Sequence, residues 1–300
     1  MKFLKTSWTQ WQPDHLAAGP LFDQSADAYQ KAGELNTSYL MYVKAMESHE
    51  LASMLGAAAI TATKASGVAK AQGDVENTAK MLIVAAEFWG NNGDLAKYGE
   101  VLAKAAVEYE AVDRKEAIVV YQRSIDTVFP ESTPKNQYTS LHPTLLDTMR
   151  KYFTLLIKEN MLEKALALAT RMISVFEAFD LEASLCKTMV AVSILHLSIG
   201  DVVQAQNVYL QEHLSNAQYI RSKECELADM LIMGATLFCC FLLLPPCCCS
   251  CSSSSFFFFL LLFYPICLFY LTFHILLSPP PPPSPFLLPS ISYKSPLSSL

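Results

Sequence analysis

GDLAKYGEVLAKAAVEYEAVDRKEAIVVYQRSIDTVF, Gly93 to Phe129, reads as two amphipathic helices folded back on each other. In the first, Val101, Leu102, Ala105, Ala106 and Tyr109 fall on one stripe of a 3.6-residue helix. In the second, Ala117, Ile118, Tyr121, Ile125, Val128 and Phe129 do the same. Between them Glu110 to Asp113 leaves room only for a tight reversal. Asp113 is placed as an N-cap, with Glu116 three residues on to complete a capping box. Two such helices cannot bury their apolar stripes alone, so the reading requires neighbours of the same kind.

The chain supplies them. A turn followed by a small residue early in a helix recurs as Gly73-Asp74…Ala79, Gly93-Asp94…Gly99, Asp113…Ala117, Asn160-Met161…Ala165 and Gly200-Asp201…Ala205. The second helices of successive hairpins begin near Asp74, Asp113, Met161 and Asp201, a step of about forty residues stretched once by an inserted loop, Pro130 to Pro143. That period exceeds the roughly 34 residues of a tetratricopeptide unit but follows the same logic. The expected fold is all-α, a curved α-solenoid of tetratricopeptide-like antiparallel helical hairpins.

Composition divides the chain. Of the 64 residues from Leu237 to Leu300, 48 are Leu, Ser, Pro or Phe, one is charged (Lys294), and seven are cysteines. Residues 1 to 233 carry 21 basic and 28 acidic side chains. A mildly acidic body lacks the basic footprint of a nucleic-acid binder. Its two cysteines, Cys186 and Cys225, stand alone in helical sequence, as in a reducing compartment. The start, MKFLKTSW, has no apolar signal core. The division expected is a helical-hairpin domain over 1–233 and a low-complexity tail over 234–300.

In chain order, Trp8 and Trp11 precede Pro13 and Pro20, which argue against one helix through this stretch. Two readings stand: packing onto the first hairpin, or an exposed aromatic loop touching a membrane surface. Helices are expected over Leu21–Gly33, Tyr39–Ala52, Leu55–Ala71, Thr78–Trp89, Leu145–Lys158, Leu162–Phe179, Leu181–Ile199 and Val203–His213. A last one begins at Ser222 and is interrupted near Met233. Alanines at 58, 59, 62, 65 and 69 suit a close crossing. No catalytic or metal-binding pattern emerges: the six histidines are scattered, and HExxH, GxSxG, GxGxxG and Gly-Lys-Ser/Thr loops are missing. His196 reads as a core or rim histidine. Neither an enzyme nor a cofactor is expected.

Leu4-Lys5-Thr6, Trp11 and Pro13-Asp14 ahead of a Tyr/Ala helix, the segment AVDRKEAIVVYQRSIDTVF (Ala111 to Phe129), and Cys186-Lys187 followed by GDVVQAQNVY (Gly200 to Tyr209) resemble the gamma-type soluble NSF attachment proteins. The resemblance runs from about residue 3 to 233. It implies a cytosolic stack of helical hairpins, peripheral on membranes. Such a protein binds the four-helix SNARE bundle and recruits the NSF ATPase that dismantles it, in vesicle fusion and intracellular transport. Trp8 and Trp11 match a membrane-touching loop of the alpha-type proteins. Lys151 matches a basic position on the SNARE-facing side, where Glu100 and Asp147 stand in place of alpha-type lysines. The family's first helix is expected to be mostly absent before Met1, and its NSF-contacting end absent after Met233. A general helical-repeat scaffold for some other helix or peptide is the alternative.

The tail has its own two readings. Phe256 to Leu277 is 22 residues without a charge, long enough to span a bilayer as a tail anchor. Its blocks of Cys, Ser, Phe and Pro are low-complexity sequence without flanking charge. A translated polypyrimidine tract gives the same composition, because Phe, Leu, Ser and Pro share pyrimidine-rich codons.

Overall fold

The computed structural model describes residues 13–130, 132–133 and 144–243, with side chains to Leu237. The chain divides into two units, Met1–Ser253 and Ser254–Leu300, and the second lies outside the described residues. Among the described residues every regular element is helical: α1 (His15–Lys31), α2 (Leu35–Leu51), α3 (Leu55–Ala71), α4 (Val75–Asn91), α5 (Leu95–Tyr109), α6 (Arg114–Val128), α7 (Thr144–Lys158), α8 (Leu162–Ala178), α9 (Glu182–Ile199), α10 (Val202–Gln211), a 3-10 turn (His213–Ser215), α11 (Ala217–Ile220) and α12 (Lys223–Leu243). Each helix from α1 to α9 packs on the next, and α12 closes on α9 and α10. The architecture is the all-α stack of antiparallel hairpins expected.

The repeat is finer than forty residues. N-caps stand at Asp14, Glu34, Met54, Asp74 and Asp94, a twenty-residue step made of a 17-residue helix and a three-residue link. The residue before the cap turns the chain with positive φ: Gly33, Ser53, Gly73 and Gly93 in the first half, then Asn160, Asp180 and Gly200. That left-handed residue lets the next N–H reach back to an orphaned carbonyl, as in Asp74 N to Ala69 O (3.0 Å) and Asp201 N to His196 O (3.0 Å). Asp14, Asp74, Asp94 and Asp201 then cap the following helix, each carboxylate accepting from the backbone N–H three residues on. One short signal thus ends a helix, reverses the chain and starts the next.

The deciding hairpin packs as its stripes require. Leu102, Ala105, Ala106, Ala117, Tyr121 and Ile125 are buried, with Val101, Ile118 and Phe129 beside them. Gly99 marks the crossing: a Cβ there would lie 2.1 Å from Val128 Cγ2, so only glycine lets α5 approach α6 this closely. The Ser124 hydroxyl donates to the Gly99 carbonyl at 2.7 Å. Ala79, Ala117, Ala165 and Ala205, the small residues that follow the other turns, are fully buried. So are Ala58, Ala59, Ala62, Ala65 and Ala69 of α3.

Three local expectations are corrected. Helix α1 begins at His15, not Leu21, and carries Pro20 within it. Asp14 caps it by accepting from Ala17 N, and the one carbonyl that Pro20 frees belongs to Leu16, in the solvent-exposed first turn. At Asp113 only half of the capping box forms. The carboxylate accepts from Lys115 N and Glu116 N, but the Asp113 N–H is already donated to Tyr109 O at 2.8 Å, leaving Glu116 nothing to accept there. Finally, α12 is not interrupted near Met233 but continues to Leu243, since no proline occurs before Pro245.

Helix α9 is long and apolar enough to cross a membrane, with a mean hydropathy of 1.3. Its residues from Leu185 to Leu195 are buried all round except Lys187, which is the pattern of a helix enclosed by other helices.

Candidate partner-binding face

Side chains tie every second helix together, which sorts the stack into two layers. In the odd layer Thr61 of α3 donates to Asp23 of α1, Lys64 pairs with Asp27 (3.4 Å), Lys70 of α3 with Glu108 of α5 (2.6 Å), and Arg150 of α7 donates to Ser184 of α9 (3.1 Å). In the even layer Arg123 of α6 pairs with Glu87 of α4, and Arg171 of α8 with Asp126 of α6. Both arginines also lie over aromatic rings, Tyr98 and Phe129.

The odd layer carries the row on which Lys151 sits. Every lysine of α3 and α5 is ion-paired: Lys64 with Asp27, Lys70 with Glu108, Lys97 with Asp94 and Lys104 with Glu100. The Asp27 carboxyl is held below its usual range, first by the hydroxyl of Tyr42 and then by Lys64. On α7 the pattern changes. Asp147 pairs with Arg150 rather than with a lysine (3.2 Å), and the Arg150 guanidinium lies over the Phe176 ring. Among the described residues Lys151 and Lys158, one above the other at i and i+7 and both exposed, make no ion pair, and neither does the half-buried Lys187 of α9. Within the odd layer, among the described residues, unpaired lysines therefore stand on α7 and α9 and, at the other end, at Lys31 of α1. Glu100 and Asp147, read as acidic replacements on this side, are each neutralised within their own helix. Lys158 was not singled out from sequence and Lys187 was named only within the Cys186-Lys187 resemblance; the i, i+7 spacing of Lys151 and Lys158 was the available signal.

Trp8 and Trp11 lie outside the described residues. The described histidines and cysteines form no metal-binding group. One polar cluster has the composition of a catalytic set: Asp23 Oδ2 meets His49 Nε2 at 3.0 Å and accepts from the Thr61 hydroxyl. Its order is wrong for nucleophilic catalysis, because the hydroxyl donates to the carboxylate and not to the imidazole. The remaining nitrogen, His49 Nδ1, is buried and unpartnered beside Gly19. Cys186 and Cys225 are free and buried, and burial pushes the Cys186 thiol up, away from the reactive thiolate.

Two layers of stacked antiparallel helices, with charge carried on outward faces, define a helical-repeat protein. The chain is similar to gamma-soluble NSF attachment protein from Dictyostelium discoideum, 22% identical over 231 residues that make up 77% of this chain and 68% of that protein. The likeness agrees with the resemblance carried by Ala111–Phe129 and Gly200–Tyr209. No family model matches the chain. Among solved structures, the TPR-like repeats of a kinesin light chain from Podosopora anserina are similar at 14% identity and a TM-score of 0.38, covering 68% of this chain and 97% of that one. BtubC from P. vanneervenii is similar at 12% identity and a TM-score of 0.40, covering 80% of this chain and 88% of its own.

Proposed function

We propose that this protein is an adaptor of the soluble NSF attachment kind, which grips the SNARE four-helix bundle along its odd layer and recruits the NSF ATPase to dismantle it. The observation that carries the reading is the unpaired Lys151 and Lys158 of α7 and Lys187 of α9, in a chain similar to a gamma-soluble NSF attachment protein. An exposed, unpaired lysine on a rigid helix is free to meet an acidic partner, whereas Lys64 and Lys104 have first to leave their own carboxylates. The adaptor hydrolyses nothing itself and works in the cytoplasm, peripheral on membranes, with Trp8 and Trp11 as the membrane-touching residues. Residues 1–233 form its working domain, and the low-complexity tail over 234–300 follows, with α12 running on into it as far as Leu243.

The test is a pull-down of the full chain on assembled SNARE complex, comparing wild type with Lys151→Glu and the double variant Lys151→Glu, Lys158→Glu. Reversing exposed charges at a partner face is expected to weaken binding roughly tenfold for the pair and to steepen with falling salt. Wild-type binding by the double variant, or capture of isolated peptides but not of the assembled bundle, refutes the proposal.

A further inference from the structure

The C-terminal end of the stack closes over α9 through a buried group that plays no part in the partner-binding face. His213, in the 3-10 turn after α10, is 1% exposed, and among the described residues neither of its ring nitrogens has a hydrogen-bond partner. Its ring meets that of Tyr219 edge-on, with centroids 5.5 Å apart and planes at 69°. Tyr219 is itself fully buried, with its hydroxyl unpartnered. Alongside, the Tyr209 hydroxyl of α10 contacts Cys225 Sγ of α12 at 3.5 Å, and α12 buries Cys225, Ala228 and Ile232. The titratable groups around this cluster are His196, Cys186 and Glu182 from α9, Asp201, Tyr209 and Glu212 from α10 and its ends, Tyr219 from α11, and Cys225, Glu224 and Asp229 from α12; Asp201 and Glu212 act on His196. Only His196 acts on the His213 ring, and its charge, when present, has the same sign.

We propose that His213 is an acid-sensitive latch: its neutral ring, seated against Tyr219, holds α10 to α12 closed over α9, and its protonation releases them. An imidazolium here would bury two N–H donors with no acceptor and no counter-charge, which the fold does not tolerate. Burial, reinforced by His196, accordingly holds the His213 pKa at about 4, against an ordinary value of 6.5. Burial lowers the His196 pKa as well, so protonation of the second imidazole also favours the open state, to a lesser degree. The open state, not the closed one, binds the proton. Closure therefore has its full support above pH 6.5 and loses it as pH falls from 6.5 towards 4.

Amide hydrogen exchange on the full chain at pH 7.5 and 4.5, corrected for the intrinsic exchange rate, reads the latch directly. In wild type the opening equilibrium of α12 is expected to rise on the order of 50-fold at the lower pH, while α3 in the same molecule changes little. His213→Phe keeps the edge-on ring contact and cannot take a proton, so its α12 should lose most of the selective acid response and keep only the smaller part that burial of His196 contributes; His213→Gln provides a second neutral variant with different packing. Loss of protection in α3 and α12 together in wild type overturns the proposal. So does a selective acid response of wild-type size that persists in either neutral variant folded at pH 7.5.

Discussion

Replacing Tyr121 by alanine tests whether the Gly93–Phe129 hairpin is the part of the stack its neighbours depend on. Tyr121 is fully buried on α6, stacks on Tyr152 of α7 at 5.8 Å between centroids, and donates its hydroxyl to Glu110 Oε1 at 2.6 Å. One side chain therefore joins the α5–α6 turn to the next hairpin, across the inserted loop. Burial, then the bond to Glu110, raises the Tyr121 pKa well beyond the working range, so the hydroxyl stays a donor at any pH the protein meets. Truncation to alanine removes the ring and leaves a cavity, at a cost of about 3–5 kcal/mol. Tyr121→Phe loses only the hydroxyl contact to a half-exposed carboxylate, about 1–2 kcal/mol. In urea, with a slope of about 3 kcal/mol per M, alanine should lower the midpoint by about 1 M or more, and phenylalanine by less than half of that. Hydrogen exchange should place the loss in α5 to α7, because repeats couple chiefly to their neighbours. A wild-type midpoint for Tyr121→Ala refutes the assignment of Tyr121 to the core; equal losses for both variants would show that the hydroxyl, and not the ring, carries the contact.

Two glycines in similar helical positions should respond to alanine with opposite signs. Gly67→Ala meets nothing within 4 Å and should stabilise by about 0.5–1 kcal/mol through helix propensity, whereas Gly99→Ala must displace the stiff Val128 side chain and should destabilise by about 1–2 kcal/mol, both read by urea midpoint. Changing Trp8 and Trp11 together to Ser should weaken association with neutral-lipid vesicles while leaving helix content and melting nearly unchanged. The opposite pattern, with stability lost and vesicle association intact, would assign the tryptophans to packing.

The α5–α6 hairpin was legible in sequence because stripe, turn and cap all agree there, each signal pointing to the same reversal. Helix starts were misplaced after Gly33 and Gly73, where Tyr39 and Thr78 were expected and the helices begin at Leu35 and Val75, while the ends around Ser53, Asn160 and Asp180 fell within a residue of their places. Ser53 and Asp180 take the left-handed turn at the α2–α3 and α8–α9 links, and neither residue type announces it as Gly73 or Gly200 does. The start of α1 was hidden by Pro20, whose local penalty is outweighed by the Asp14 cap and by burial of Ala18 and Ala26. At the candidate face, Lys151 was visible through resemblance alone. That it stands unpaired depends on Asp147 turning to Arg150, and on Arg150 bridging to Ser184 thirty-four residues away. His213 was one of six scattered histidines until the fold enclosed it.

The Asp23 cluster offers the most direct test of how this stack sets its register. A repeat built from alanines and a twenty-residue step can slip, since neighbouring helices offer similar small-residue faces at several offsets. Asp23 of α1 meets His49 of α2 at 3.0 Å and Thr61 of α3 at 3.1 Å, so one carboxylate joins three successive helices. Gly19 leaves room for the His49 ring: a Cβ there would lie 2.6 Å from His49 Cε1. Removing the carboxylate strands a buried imidazole N–H, and the penalty is the desolvation of that group, about 1–3 kcal/mol. Asp23→Ala should therefore destabilise by about 2 kcal/mol, with the loss confined to α1 to α3 in hydrogen exchange. Asp23→Asn retains an oxygen that accepts from either partner and should lose less than half as much. If Asn is as damaging as Ala, the negative charge is what matters and the cluster acts as an ion pair. If neither variant shifts the midpoint, α1 is held by its apolar face alone, and the polar join does not set the register.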